Sequence, residues 1–239
     1  MDPSPALSHE ERSRYERHLI IPGFNEEEQE KLRNARVLAI GAGGLGSAVL
    51  HYLAAAGIGC IGIVEFDVVT HSNLQRQILY TTHDLDGPKV EIAAERLMAI
   101  NPYGQVITFG IRLTEKNAED IFKDFDLVID CTDNYETRYV IDRACKKLNL
   151  PMIYGTAQEA EGQVSVFHTG GAGAYSDLYP EKDAKSDDTP VGVLSPMPGI
   201  IGTIQAMEAI KLITGYGQTL VGRLLTVDAR TMDFRVFSL

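Results

Sequence analysis

Apolar residues come in two rhythms along this chain. Short unbroken runs, "ARVLAIGAG" (35–43), "GCIGIVEFD" (59–67), "QVITF" (105–109), "DLVIDCTDN" (126–134) and "PMIYG" (151–155), alternate with longer segments where apolar residues return every third or fourth position. The unbroken runs predict parallel strands buried on both faces. The longer segments predict helices: "LGSAVLHYLAAAG" (45–57), built of good helix formers and closed by Gly57; "GPKVEIAAERLMAINP" (87–102), with Pro88 at the first helical position and Val90, Ala93, Ala94 and Leu97 on one face; the stretch around "NAEDIFKDF" (117–125); and "YETRYVIDRACKKLN" (135–149). Strand and helix in alternation imply a parallel sheet with right-handed crossovers.

The rhythm changes at both ends. Residues 1–9 read as a loose arm, and Glu10–Arg17 as a helix capped by Ser8, with Glu11 three residues on. From about residue 160 come strand-like "GQVSVF" (162–167), a Gly-, Asp- and Ser-rich stretch, one long helix "GIIGTIQAMEAIKLITG" (199–215) and two final strands, "RLLTVDA" and "DFRVFSL". The expectation is one α/β domain over 1–239, with an N-terminal arm and helices (1–35) and a Rossmann-like nucleotide-binding half (36–160). Antiparallel strands extend its mainly parallel, two-faced sheet in the second half (161–239). Residues 168–198 exceed what a structural connection needs and read as a mobile functional loop, the alternative being a tolerated surface insertion.

Between the first strand and its helix, Gly41, Gly43 and Gly46 stand in G-x-G-x-x-G spacing, with Glu65 and Asp67 about twenty residues further on. Such a turn aims unpaired N–H groups and a helix dipole at a phosphate, while the strand-end acid can accept from a ribose. That chemistry suits NAD, FAD and ATP alike. Three downstream segments narrow it: "SNLQRQ" (72–77), Lys89 opening the next helix, and "DCTDN" (130–134) ending another strand. Ligands of doubly wound sheets lie beyond the carboxyl ends of the strands, so Arg76, Lys89 and Asp133 are expected to share one crevice. Two cations exceed what a dinucleotide pyrophosphate requires but suit a triphosphate attacked at its α-phosphorus. A carboxylate beside them suits Mg²⁺. Taken singly, each cation could be a solvated charge, and Asp133 could be only the cap of the helix after it.

In "RYERH" (14–18), "GAGGLGS" (41–47), "EFDVVTHSNLQRQ" (65–77), "GPKVE" (87–91), "NP" (101–102), "DLVIDCTDN", "EGQVSVF" (161–167) and "PGIIGTIQAMEAIKLITG" (198–215), the chain resembles the MoeB/ThiF/HesA family, bacterial relatives of ubiquitin-activating enzymes. The resemblance implies ATP-dependent adenylation of the C-terminal Gly-Gly carboxylate of a small ubiquitin-like sulfur carrier (MoaD/ThiS type). The product serves molybdopterin, thiamine or related sulfur-transfer biosynthesis. It also implies a role for each matching residue. Gly41, Gly43 and Gly44 line the phosphate turn; Glu65 takes the place of the ribose acid and Asp67 that of the second strand-end acid. Asn73, Arg76 and Lys89 face the nucleotide, and Asp133 holds Mg²⁺. Arg14 matches an arginine that reaches across a homodimer. Residues 161–239 then form the carrier-binding half, with 168–198 as its crossover loop.

The chain departs from the family in two places. A common zinc site is not expected, since its first C-x-x-C pair falls on Ala174 and Asp177 and the chain ends where the second would stand. The crossover loop has no thiol around Asp188, so sulfur is expected from a separate donor. The three cysteines, Cys60, Cys131 and Cys145, form no C-x-x-C pair, and no histidine constellation stands out. A carboxylate already ionised near neutral pH needs no general base to attack.

Composition narrows the partners. A net charge of −11 disfavours nucleic acid and anionic membranes, and a start without a secretory segment predicts a cytoplasmic protein. Adenylation of a small-molecule or tRNA-nucleoside carboxylate, and a non-catalytic nucleotide-dependent scaffold for a ubiquitin-like protein, stand as alternatives.

Overall fold

In the computed structural model, which describes residues 6–181 and 191–239, the strands are β1 (Arg36–Ile40), β2 (Cys60–Val64), β3 (Gln105–Phe109), β4 (Leu127–Asp130), β5 (Met152–Gln158), β6 (Glu161–Phe167), β7 (Arg223–Asp228) and β8 (Asp233–Ser238). They form one sheet in the order β3-β2-β1-β4-β5-β6-β7-β8. The first five in that order pair parallel, and from β5 to β8 the pairing is antiparallel. The mainly parallel sheet with an antiparallel extension is the fold expected.

The helices are α1 (His9–Arg14), α2 (Glu16–Leu19), α3 (Glu26–Asn34), α4 (Gly44–Ala56), α5 (Lys89–Ile100), α6 (Glu115–Phe122), α7 (Tyr135–Leu148), α8 (Tyr175–Leu178) and α9 (Pro196–Thr214). Alternate strand residues feed two cores. Val37, Ala39, Ile61, Ile63, Leu127 and Ile129 pack under α3, α4, α5 and α9. Leu38, Ile40, Cys60, Val64 and Val128 pack under α6, α7 and α8. Helix α4 is covered by the sheet on one side and α9 on the other, which is why its sequence is apolar nearly all round.

Two elements differ from expectation. The helix read over 10–17 is two pieces broken at Tyr15: Ser8 and Glu11 do form the capping box of α1, but the buried Tyr15 turns inward, its hydroxyl accepting from Asn101 Nδ2 at 2.8 Å. A tertiary contact overrides local helix continuity here. Pro88 is the N-cap of α5 and Lys89 its first residue, one position later than the sequence pattern indicates.

The segment 168–198 is tied down at its start. His168 Nε2 donates to Asp142 Oδ1 at 2.7 Å, and the N–H groups of Tyr175 and Ser176 donate to the same carboxylate. Burial alone would push the Asp142 carboxyl up; the bonds from His168, Ser176 and Tyr175 hold it below its usual range. Fully buried Tyr175 anchors α8 among Tyr139, Tyr154, Phe167 and Tyr179. Ala174 and Asp177 serve this turn, the Asp177 carboxylate accepting the Ala174 N–H at 2.8 Å. Asp188 and the heart of the crossover loop, 182–190, lie outside the described residues. Among the described residues no helix is long and apolar enough to cross a membrane.

Candidate active site

Strand β1 ends in a turn that only glycine negotiates well. Gly41 has φ +96°, the left-handed region, and a Cβ there would lie 2.9 Å from the Cys131 carbonyl oxygen. Gly46 lets the first turn of α4 close over it: a Cβ at 46 would stand 2.3 Å from the Gly41 oxygen. Gly43 is the N-cap of α4 and no side chain caps it, so the helix opens with N–H groups lacking intrahelical partners. With the dipole of a 13-residue helix behind them, these groups make an anion seat.

Side chains brace that seat. Glu65, 7% exposed at the end of β2, accepts from the N–H of Ala42 through one oxygen (3.0 Å) and from those of Phe66 and Asp67 through the other (2.8 and 2.9 Å). The acid assigned to a ribose is thus largely occupied by backbone, and it shapes the turn. From the opposite side buried Tyr80 donates its hydroxyl to the Ala42 carbonyl at 2.9 Å and lies 3.4 Å from that of Lys89. Both ends of residue 42 are therefore held by side chains. Replacing Tyr80 with Phe leaves a buried carbonyl without its donor; we expect a loss of about 1–2 kcal/mol in stability, measured by urea unfolding, together with weaker nucleotide binding.

The cations stand around the same turn. Lys89, 4% exposed, has Nζ 3.6 Å from Asp67 Oδ2, and Asp67 is about half exposed. Burial with one distant partner leaves an ammonium free to bind an entering anion. Arg76 makes no ion pair among the described residues; its guanidinium donates to the Ser72 carbonyl at 3.1 Å, and its Cγ lies 3.7 Å from where a Gly44 Cβ would sit. Asn73 accepts the Thr70 N–H on its side-chain oxygen at 3.2 Å, fixing the single turn His71–Asn73, and its carbonyl accepts the Arg76 N–H at 3.0 Å. From the second half, Pro198 at the start of α9 abuts Gly44, and Ser195 donates to Gln75 at 2.9 Å.

Asp133 lies beyond the end of β4, two residues past the cysteine that backs Gly41. The helix cap it could have been is supplied by its neighbour: Asn134 Oδ1 accepts the Thr137 N–H at 2.9 Å. The exposed Asp133 carboxylate has no hydrogen bond or ion pair among the described residues. Its position is set by a buried clamp that sequence reading missed. Asp130 accepts from the Thr132 N–H (2.9 Å), the Thr132 hydroxyl (2.6 Å) and Arg138 Nε (3.1 Å), while Arg138 also donates to the Thr132 carbonyl at 2.8 Å. A signal existed, because Arg138 and Asp142 sit four apart on the face of α7 that carries Tyr139, Ile141 and Cys145 inward.

One expected residue lies elsewhere. Arg14 ends α1, exposed, its guanidinium 5.9 Å from the Tyr103 ring centroid. Tyr103 precedes β3, near the C-terminus of α4, so Arg14 stands at the opposite edge of the sheet from the glycine turn. The three cysteines are buried, and burial pushes their thiols up, Cys131 and Cys145 most strongly. Thiols so disposed are poor nucleophiles. Among the described residues no group of three or more His, Cys, Asp or Glu stands together to hold a metal.

Fold and crevice define a Rossmann-type α/β protein with an anion seat at the switch between strands. The chain belongs to the ThiF family, whose profile matches residues 15–239. It is 46% identical over 246 residues to the probable adenylyltransferase/sulfurtransferase MoeZ of Mycobacterium tuberculosis, covering all of this chain and 63% of that protein. It is 43% identical to the molybdopterin-synthase adenylyltransferase of Haemophilus influenzae, over 98% of this chain and 97% of that one, and 43% identical to the sulfur carrier protein adenylyltransferase of Thermus thermophilus. The chain thus spans less than two thirds of the length of some relatives and nearly all of another. Among solved structures it superposes on PaaA (TM-score 0.84, 25% identity, 99% of this chain and 76% of that one). It also superposes on Escherichia coli MccB (TM-score 0.86, 21% identity, 97% and 72%), a likeness of fold.

Proposed function

We propose that this chain adenylates the C-terminal Gly-Gly carboxylate of a small ubiquitin-like sulfur-carrier protein. A carboxylate oxygen attacks the α-phosphorus of ATP, the bond from that phosphorus to the bridging oxygen breaks, and pyrophosphate leaves with the electron pair. The observation that carries this reading is the pairing of an anion seat with two cations around one turn: Arg76, which makes no ion pair among the described residues, and buried Lys89, paired at 3.6 Å with the half-exposed Asp67. Two anions must meet for the bond to form, and these charges lower that repulsion in place, with no reorganisation at the moment of reaction.

Gly43 and Gly44 offer backbone N–H groups to the phosphates, while Gly41, whose own N–H donates to the Val64 carbonyl, bends the turn that presents them; Asn73 orients the segment bearing Arg76, and Asp67 holds Lys89 ready. Glu65 keeps one acceptor direction for a ribose hydroxyl while its other bonds shape the turn. The exposed, unpartnered carboxylate of Asp133 fits Mg²⁺, which binds through one or two carboxylates plus substrate phosphates and would neutralise part of the triphosphate charge. Arg14, remote from this chain's own crevice, serves the site of a second copy in a homodimer. With the cysteines buried, sulfur comes from a separate donor. A protein substrate also accounts for the edge strand β8, where Phe234, Val236 and Phe237 stand about half exposed.

Exchange of labelled pyrophosphate into ATP tests this. It is expected only with a Gly-Gly-ended carrier present, and to fall about 10²- to 10³-fold in Arg76→Ala. Exchange without carrier would point to a small carboxylate or a tRNA nucleoside as substrate; binding of ATP and carrier without pyrophosphate release would point to a scaffold.

A further inference from the structure

Gln163 on β6 has one end of its carboxamide fixed and the other free. Its Oε1 accepts the hydroxyls of Tyr179 at 2.5 Å and Tyr154 at 3.3 Å, while its Nε2 makes no hydrogen bond among the described residues. The residue is half-buried and that nitrogen is not sealed from solvent, so two N–H donors stand unused in a fixed direction. Gln163 opposes Thr156 of β5 and Thr226 of β7, and Thr226 opposes Arg235 of β8. Directly opposed residues share a face, so these four polar side chains form a row across the antiparallel half, on the face that carries Tyr154 and Phe167. At its β5 end the row meets the clamp below Asp133: the Tyr154 ring centroid lies 5.3 Å from the Arg138 guanidinium carbon, and Arg138 holds the Thr132 carbonyl.

We propose that Gln163 binds the extended C-terminal tail of the protein substrate, its Nε2 donating to a main-chain carbonyl a few residues before the terminal glycine pair. This rests on the adenylation function above and adds to it a residue that reads the tail. With the carrier body against the exposed β8 and its carboxylate at the glycine turn, the tail has to cross the strands between them, and the row of Thr156, Gln163, Thr226 and Arg235 runs from β5 to β8. Glycines carry no side chain, so the end of such a tail is recognised through its amides and carbonyls. A carboxamide already held by two tyrosine hydroxyls loses little rotational freedom when the tail arrives. Gln163 stands three strands from β1 and its turn, so its contact is the same before and during attack on the α-phosphorus. It therefore contributes affinity for the tail and leaves the chemical step alone.

The discriminating variant is Gln163→Glu, whose carboxylate keeps both acceptor bonds to Tyr154 and Tyr179 but has no N–H to donate. The probe is a MoaD-type carrier protein ending in Gly-Gly. The carrier concentration giving half-maximal pyrophosphate exchange is expected to rise about 10-fold or more, with the maximal rate and the affinity for Mg·ATP within about twofold of the parent. The unfolding temperature of the full chain should stay within about 2 °C. The rise persists at high salt, which separates a lost donor from repulsion between charges. Tyr179→Phe is the control: it removes one bond to Oε1 and leaves Nε2 in place. It is expected to lower the unfolding temperature while changing the half-maximal carrier concentration by less than about threefold. An unchanged carrier requirement in Gln163→Glu, or a rise that vanishes at high salt, overturns the proposal. So does an equal rise in Tyr179→Phe, which would make Gln163 only a brace for the tyrosines. If neither a MoaD-type nor a ThiS-type carrier supports exchange in the parent, the adenylation reading itself falls, a result distinct from failure of Gln163 alone.

Discussion

Asp133→Asn is expected to lower carrier-dependent pyrophosphate exchange by about 10²- to 10³-fold, an effect on the scale of losing one preorganised electrostatic contact. It should move the unfolding temperature by no more than about 1–2 °C, because the carboxylate is exposed and bonded to nothing in the described structure. The pairing of a large kinetic loss with a small stability change is what distinguishes a ligand-facing acid from a cap, and the cap is already supplied by Asn134. Asparagine keeps the shape and one acceptor but removes the charge that would hold Mg²⁺ beside the phosphates. The Mg²⁺ concentration giving half-maximal exchange is therefore expected to rise in the variant. Unchanged exchange would move the metal-binding role to Asp67, the other exposed strand-end carboxylate near the turn.

The contrast between Asp133 and its neighbours shows which features a sequence can disclose. The unbroken strands, the helix spacing of Val90, Ala93, Ala94 and Leu97, and the glycine turn are local patterns, and the structure carries each of them. Parallel topology then puts Glu65, Asp67, Asn73, Arg76 and Lys89 after β2 and Asp133 after β4, the two strands that flank β1 and its glycine turn, which is the placement expected of a doubly wound sheet. The unread features depend on contacts between distant positions. Tyr80 reaches Ala42 across 38 residues, and Tyr15 breaks its helix to meet Asn101, 86 residues away. Glu65 is legible as an acid at a strand end, but its engagement with three backbone N–H groups is not, since that depends on how the turn folds back over it. Arg14 marks the other limit: the role proposed for it, in a second copy, would leave no geometric trace within one chain.

Arg138→Gln is the substitution expected to cost the most stability. Removing one partner from a buried ion pair leaves an uncompensated charge, a loss of about 3–5 kcal/mol. Calorimetry should show this as an unfolding temperature lowered by about 10 °C or more. Arg138 and Asp130 are nearly inaccessible, with side-chain exposures of 6% and 0%, so little solvent can move in to replace the lost bonds. Arg138→Lys rescues only part of the loss: one ammonium cannot span Asp130, the Thr132 carbonyl and the Gly155 carbonyl as the guanidinium does. The double variant Asp130→Asn with Arg138→Gln removes both charges and should be more stable than the single variant. That coupling would show that the isolated carboxylate, and not lost packing, dominates the damage; strictly additive losses would refute it. The same clamp holds the carbonyl of Thr132, the residue before Asp133. Exchange is expected to fall in both the single and the double variant, even where stability recovers, since the shorter amide at 138 no longer bridges residue 130 and the Thr132 carbonyl as the guanidinium does.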